Sequence, residues 1–243
     1  MDERSAVDKE VAPATMQSAT DPPYLYPDYV STRLRAPSRP LVLVPHVLSE
    51  ATGPIFGPDR VMAGDSDLTR QHAGDPIGER IIVSGTVRDA GGRPVRGGLV
   101  EIWQANAAGR YRHDGDDHDA PLDPNFSGFG RVLTDDEGRY RFVTVKPGPY
   151  PWRNHRNAWR PAHIHLSLFG SQFSQRLVTQ MYFEGDPLFF QDPIFNSIPR
   201  EARPLVIAPL DMANGRPEWA LAYRFDIVLA GRHATPFEHG DDD

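Results

Sequence analysis

The sequence predicts an all-β fold: a β-sandwich of mostly antiparallel strands with long loops and an extended N-terminal arm. Two observations predict it. The 24 prolines and 21 glycines punctuate the 243-residue chain every few residues, which suits short strands and irregular loops and leaves little room for long helices. Apolar runs of strand length, separated by turn chemistry, follow one another from Ile81 to about Ala230. Sandwiches of this length often form a single unit, so one domain is expected.

In chain order, residues 1 to about 20 are polar and aperiodic and read as a disordered tail. The segment from Asp21 to about Pro76 is proline-rich with one short apolar run, Leu41 to Val44, and reads as an arm laid across a surface or a partner. The sandwich is expected over 77–238. Its strands are predicted at Ile81 to Val87, Leu99 to Trp103, Arg139 to Val145, His163 to Phe169, Leu177 to Phe183 and Leu221 to Leu229. Asp89-Ala90-Gly91-Gly92 and Asp135-Asp136-Glu137-Gly138 read as hairpin connections. The stretches 112–130 and 146–160 are longer, rich in charged and aromatic residues, and are where a site is expected on a rigid scaffold. The acidic end 239–243 reads as a second tail.

Composition excludes several classes. A formal charge of −7, from 33 acidic and 26 basic residues, argues against a nucleic-acid partner. Without cysteine there are no disulfides and no thiolate zinc sites, so any metal is held by nitrogen or oxygen. No apolar run approaches the roughly 20 residues that cross a bilayer, and the N-terminus has no leader-like apolar core, so a cytoplasmic protein is expected.

The strongest local signal is Trp159-Arg160-Pro161-Ala162-His163-Ile164-His165-Leu166. On a strand, residues two apart share a face, so His163 and His165 converge while Ile164, Leu166 and Leu168 point to the opposite, apolar side. Such a pair suits two metal ligands, although an isolated His-x-His is more often two surface histidines. Completing donors must be carboxylate, phenolate or water, and no carboxylate stands at a suitable spacing past the second histidine. Tyr111, in Gly109-Arg110-Tyr111-Arg112-His113, and Tyr150, in Pro147-Gly148-Pro149-Tyr150-Pro151-Trp152, offer themselves at loop edges; lone tyrosines more commonly just pack their rings. The loop His113 to Asp119 has the composition of a divalent-cation site, but without the spacing of a calcium loop it reads as a solvated acidic loop. Trp103 is expected to pack in the core beside the site.

The segments Trp103 to His113, Ala120 to Asn125, Gly148 to Asn154 and Trp159 to His165 resemble the intradiol ring-cleavage dioxygenases. The runs Gly78 to Val83, Tyr182 to Pro187 and Leu221 to Asp226 extend the resemblance to the iron-bearing β subunits of the αβ enzymes that cleave protocatechuate. That resemblance implies an Fe(III)-dependent oxidoreductase of aromatic catabolism, with one iron per β subunit held by Tyr111, Tyr150, His163 and His165 and with O2 as co-substrate. It implies that the substrate displaces the phenolate of Tyr150, and that Arg160 faces the bound ring and stabilises developing negative charge. It further implies a pocket lined by Trp152, Gln180 and Ile194, a contact from Tyr29 on the arm, and an α subunit as partner that shares the fold but lacks the iron ligands. The competing readings are a catechol or hydroxyquinol 1,2-dioxygenase and a metal-free transthyretin-like binding module. The proline-rich arm speaks against the first, whose families begin with a helical dimerisation segment, and the four donors speak against the second.

Overall fold

The computed structural model describes residues 19–40, 61–152, 158–169 and 176–237. The expected N-terminal tail up to residue 18, the run Leu41 to Val44 and the acidic end lie outside the described residues. Among the described residues the strands are β1 (Arg80–Arg88), β2 (Leu99–Trp103), β3 (Phe129–Leu133), β4 (Arg139–Val145), β5 (Tyr150–Trp152), β6 (Ala158–Arg160), β7 (His163–Phe169), β8 (Arg176–Phe183), β9 (Ile207–Ala208), β10 (Leu221–Arg224) and β11 (Ile227–Val228). Short α-helices among the described residues include α1 (Thr32–Arg35) and α2 (Pro193–Ser197).

One sheet centres on β1, which pairs antiparallel with β4 and parallel with β10 and β11. The other runs β3-β2-β7-β8-β9, antiparallel except for the last pair. The two sheets face each other because alternate residues on each are apolar. Ile81 and Val83 of β1 and Phe142 of β4 meet Val100 and Ile102 of β2, Ile164, Leu166 and Leu168 of β7, and Met181 of β8 in one buried core. Each such side chain contributes about 1.5–3 kcal/mol by leaving water, and together they lock the register of β7. His163, His165 and Ser167 therefore lie on the outer face of the second sheet, away from this core.

The single run predicted from Leu221 to Leu229 breaks into β10 and β11. At the break the Asp226 carboxylate accepts from the Thr86 backbone N–H and hydroxyl at 2.9 and 3.0 Å, substituting a side chain for a ladder bond. Gly85 is needed opposite, since a Cβ there would run into the Phe225 carbonyl. The same carbonyl accepts from the buried Tyr140 hydroxyl at 2.6 Å. Burial raises the Tyr140 pKa well above the ordinary 10, with the nearby Asp226 charge adding to it. The unfolded phenol ionises near pH 10 and the folded one does not, so the stability it lends is complete below pH 10 and is lost as pH rises beyond, by about 1.4 kcal/mol per unit. Tyr140→Phe is expected to cost about 1 kcal/mol at pH 7 and to flatten that alkaline decline. Urea unfolding at pH 7 and pH 11 measures both, and an unchanged decline would refute the role.

Two further elements depart from the expected organisation. The stretch 146–160 is not all loop: β5 and β6 form a small antiparallel pair in which Tyr150 stands opposite Arg160. Strands of three residues containing Pro151 are too short to show a period of two. Residues 65–70, read as arm, pack with the sandwich. Leu68 is fully buried in the main core, the Asp65 carbonyl accepts from Arg131 N–H at 3.0 Å, and the Ser66 carbonyl accepts from Val143 N–H at 2.8 Å.

Candidate metal centre

His163 and His165 stand side by side on the outer face of β7, their ring centroids 4.9 Å apart. The Nδ1 of His163 lies 2.7 Å from the Pro161 carbonyl. A carbonyl can only accept, so Nδ1 carries the hydrogen and Nε2 presents its lone pair, which is how an imidazole is oriented for a metal. Burial holds the His163 pKa well below its usual 6.5, and the Arg160 guanidinium and the neighbouring His165 imidazole push it in the same direction. The ring is therefore neutral at pH 7. His165 stacks on Trp103 at 4.9 Å with 11° between the planes. Trp103 thus lies beside the site as expected, but half-buried on the outer face rather than in the core between the sheets.

Two loops bring tyrosines to this pair. The Tyr111 loop is organised by Asn106, whose side-chain carbonyl accepts from Ala108 and Arg110 N–H at 2.9 and 3.0 Å and whose amide donates to Pro121. Gly109, at φ +78°, presses against the Pro149 carbonyl, and Gly148 against the Ala107 carbonyl; a Cβ at either would collide with backbone. The loops consequently touch, and the Gly148 N–H donates to the Asn106 carbonyl at 2.9 Å. Their tyrosines meet edge to face, with the Tyr111 and Tyr150 centroids 5.6 Å apart. Tyr111 lies 6.3 Å from His165 and Tyr150 lies 5.5 Å from His163, ring to ring. The acidic loop contributes here: Asp116, half-buried, accepts from the Tyr111 N–H at 2.7 Å and from the His118 N–H at 2.8 Å. One of its carboxylates is a brace for Tyr111 and is not merely solvated.

These four side chains suit a hard first-row metal. The Tyr150 Oη is 3.3 Å from His163 Nε2. Two donors each about 2 Å from a metal and 90–110° apart sit about 3 Å from one another. Among the described residues no three His, Asp or Glu side chains gather at metal-binding distance. The oxygen donors near the histidines are phenols, which as phenolates favour a trivalent over a divalent ion.

Next to the donors lies a buried polar cluster. Arg160 is 3% exposed and forms an ion pair with the fully buried Asp192, Nε to Oδ2 at 3.1 Å. Its guanidinium also donates to the Gln180 side-chain carbonyl and, at 3.2 Å, to the Tyr182 hydroxyl. That hydroxyl in turn donates to Gln180 Oε1 at 2.7 Å. Burial raises the Asp192 pKa, opposed by Arg160 and by the hydrogen bonds it accepts. The guanidinium carbon sits 5.5 Å from the centre of the Trp152 ring. Trp152 meets the ring of Tyr29 at 5.2 Å, and the Arg35 guanidinium lies over the same tyrosine ring at 4.5 Å. The Thr32 hydroxyl ties this part of the arm, accepting from the Tyr26 N–H at 3.0 Å and lying 2.7 Å from the Tyr29 carbonyl, to which it donates. Tyr29, Gln180 and Ile194 line one narrow cavity together with Tyr182 and Ile198. Every residue singled out in the sequence is thus drawn into one neighbourhood. Asp192 and Tyr182 were not singled out; Asp192-Pro193 carries a helix-start signature, but nothing local marks its reach to Arg160.

Comparison with known proteins then bears on the identity. A family model described as Dioxygenase matches residues 51–231. The chain belongs to the intradiol dioxygenase family. A second model, described as the protocatechuate 3,4-dioxygenase β subunit N terminal, matches residues 17–47 of this intradiol dioxygenase. It is 56% identical over 219 residues to a protocatechuate 3,4-dioxygenase β chain of Burkholderia cepacia, covering 89% of this chain and 93% of that one. It is 32% identical to an α chain of the same name from Pseudomonas putida, covering 82% and 98%. Among solved structures, 3-chlorocatechol 1,2-dioxygenase from Rhodococcus opacus 1CP superposes with a TM-score of 0.52 at 27% identity, covering 73% and 70%. The family uses non-haem iron.

Proposed function

We propose that this intradiol dioxygenase is the iron-bearing β chain of an αβ enzyme that cleaves protocatechuate with O2 to 3-carboxy-cis,cis-muconate. The observation that carries it is the meeting of two imidazoles and two phenols from separate segments, in a chain 56% identical to a protocatechuate 3,4-dioxygenase β chain. Tyr111, Tyr150, His163 and His165 would hold one Fe(III) per chain. When bound, the ion supplies a template and Lewis acidity that make a chelated catecholate reactive toward O2.

The residues of the chain do the rest. An imidazole binds a metal through the lone pair of its neutral form, so His163 and His165 would add no charge and the phenolates and the substrate oxygens would set the charge of the centre. Tyr150 stands on the small β5-β6 pair beside Arg160 and is the phenol that moves aside when the substrate binds. Its Oη then accepts the proton of the second substrate hydroxyl. Trp152, Ile194 and Tyr29 confine the ring, and the bonded Gln180 and Arg160 present fixed dipoles and charge to it. The α chain would cover the arm and complete the pocket for the substrate carboxylate.

Tyr111→Phe is expected to keep the fold while removing much of the visible absorption that a ferric phenolate gives a red-brown protein. An iron-loaded variant with the full wild-type band would refute Tyr111 as a donor. Oxygen uptake by the co-expressed αβ complex tests the reaction itself: protocatechuate should be consumed far faster than catechol. A preference for catechol would overturn the substrate.

A further inference from the structure

We propose that Asp192 is a positioning residue that sets Arg160 and the pocket wall Ile194 with a single carboxylate. This deepens the reading above and rests on it for the role of Arg160. The two oxygens of Asp192 face different elements. Oδ1 accepts from the Ile194 N–H at 2.9 Å and so caps α2, the helix that carries Ile194 into the cavity. Oδ2 meets Arg160 Nε at 3.1 Å and lies 3.2 Å from the Tyr182 hydroxyl oxygen.

A guanidinium 3% exposed has few ways to be held, and its partners here divide the work. Gln180 and Tyr182 are neutral and take the Nη2 end. Asp192, a carboxylate within ion-pair distance of Arg160, takes the Nε side. A planar fork held from two sides cannot turn, so its outer face stays toward Trp152 and the donor cluster. Because α2 is capped by the same group, a shift of Arg160 and a shift of Ile194 are coupled through Asp192. The geometry makes Asp192 act through Arg160 and not on the substrate: it is fully buried behind the guanidinium.

The test is a double-mutant cycle on the αβ holoenzyme, read as kcat and KM for protocatechuate. Asp192→Asn keeps the volume and the cap on α2 but removes the counter-ion; Asp192→Ser keeps the cap and is too short to reach Arg160. Both are expected to lose kcat roughly ten- to hundredfold, the usual cost of an outer supporting partner, with KM changed less than about threefold and iron content unchanged. Combining Asp192→Asn with Arg160→Ala is expected to give the kcat of Arg160→Ala alone. Wild-type kcat in both Asp192 variants, with Arg160→Ala crippled, overturns the positioning role while leaving that of Arg160 intact. Losses that multiply in the double variant also overturn it. Wild-type kcat in Arg160→Ala instead overturns the reading on which it rests.

Discussion

Alanine at His163 or His165 is expected to strip the chain of iron and to abolish oxygen uptake. Losing a partner behind a metal ligand typically costs ten- to hundredfold in affinity or activity, and losing a ligand itself costs more. The two positions differ in what else they lose. His163 is 2% exposed and bonded to the Pro161 carbonyl, so its removal also leaves a cavity and an unfilled acceptor, and the variant should melt below the wild-type apoprotein. His165 is half-buried and gives up its stacking on Trp103, a smaller structural loss. Iron per chain, measured on both purified variants, decides the matter: one equivalent retained in each would remove the histidine pair from the centre.

Arg160→Ala is expected to lower both turnover and stability. On the chemical side it removes a buried guanidinium beside the donor cluster, and the loss of a preorganised group of that kind costs about a hundred- to a thousandfold in kcat. On the structural side it leaves the fully buried Asp192 carboxylate without its Arg160 partner, and breaking a buried pair from one side costs about 3–5 kcal/mol. The two effects separate in Arg160→Ala/Asp192→Asn, which removes the orphaned carboxylate: stability should recover while kcat stays low. Chemical denaturation and steady-state kinetics on the same preparations read them apart. Recovery of kcat along with stability would show that Arg160 matters only for the fold.

Much of the scaffold was legible from local pattern. Leu99–Trp103, Arg139–Val145 and His163–Phe169 fall on the predicted bounds, because each alternates or runs apolar long enough to show its period. β3 was missed: it is an edge strand that begins Phe129-Gly130 and places Arg131 at 3.2 Å from Glu101, so it carries little apolar signal. The broken end of the Leu221 to Leu229 run was missed because the break comes from Asp226 reaching across to Thr86, a contact 140 residues apart in sequence. In the site, the spacing of His163 and His165 announced a shared face, and the resemblance singled out the tyrosines. Asp116 and Asp192 did not stand out, since a brace on Tyr111 and a counter-ion for Arg160 are defined by where another segment ends up.

By itself, then, the sequence determined which side of β7 would be greasy and which would carry imidazoles, and it excluded thiolate from any metal site. A strand's two-residue repeat and a chain's inventory of side chains are local properties, readable without a fold. Only the tertiary structure decided that the Tyr111 and Tyr150 loops touch through Gly109 and Gly148, and that one buried carboxylate holds Arg160 and caps α2. Those are contacts between distant segments, set by how the core closes and not by any neighbouring residue.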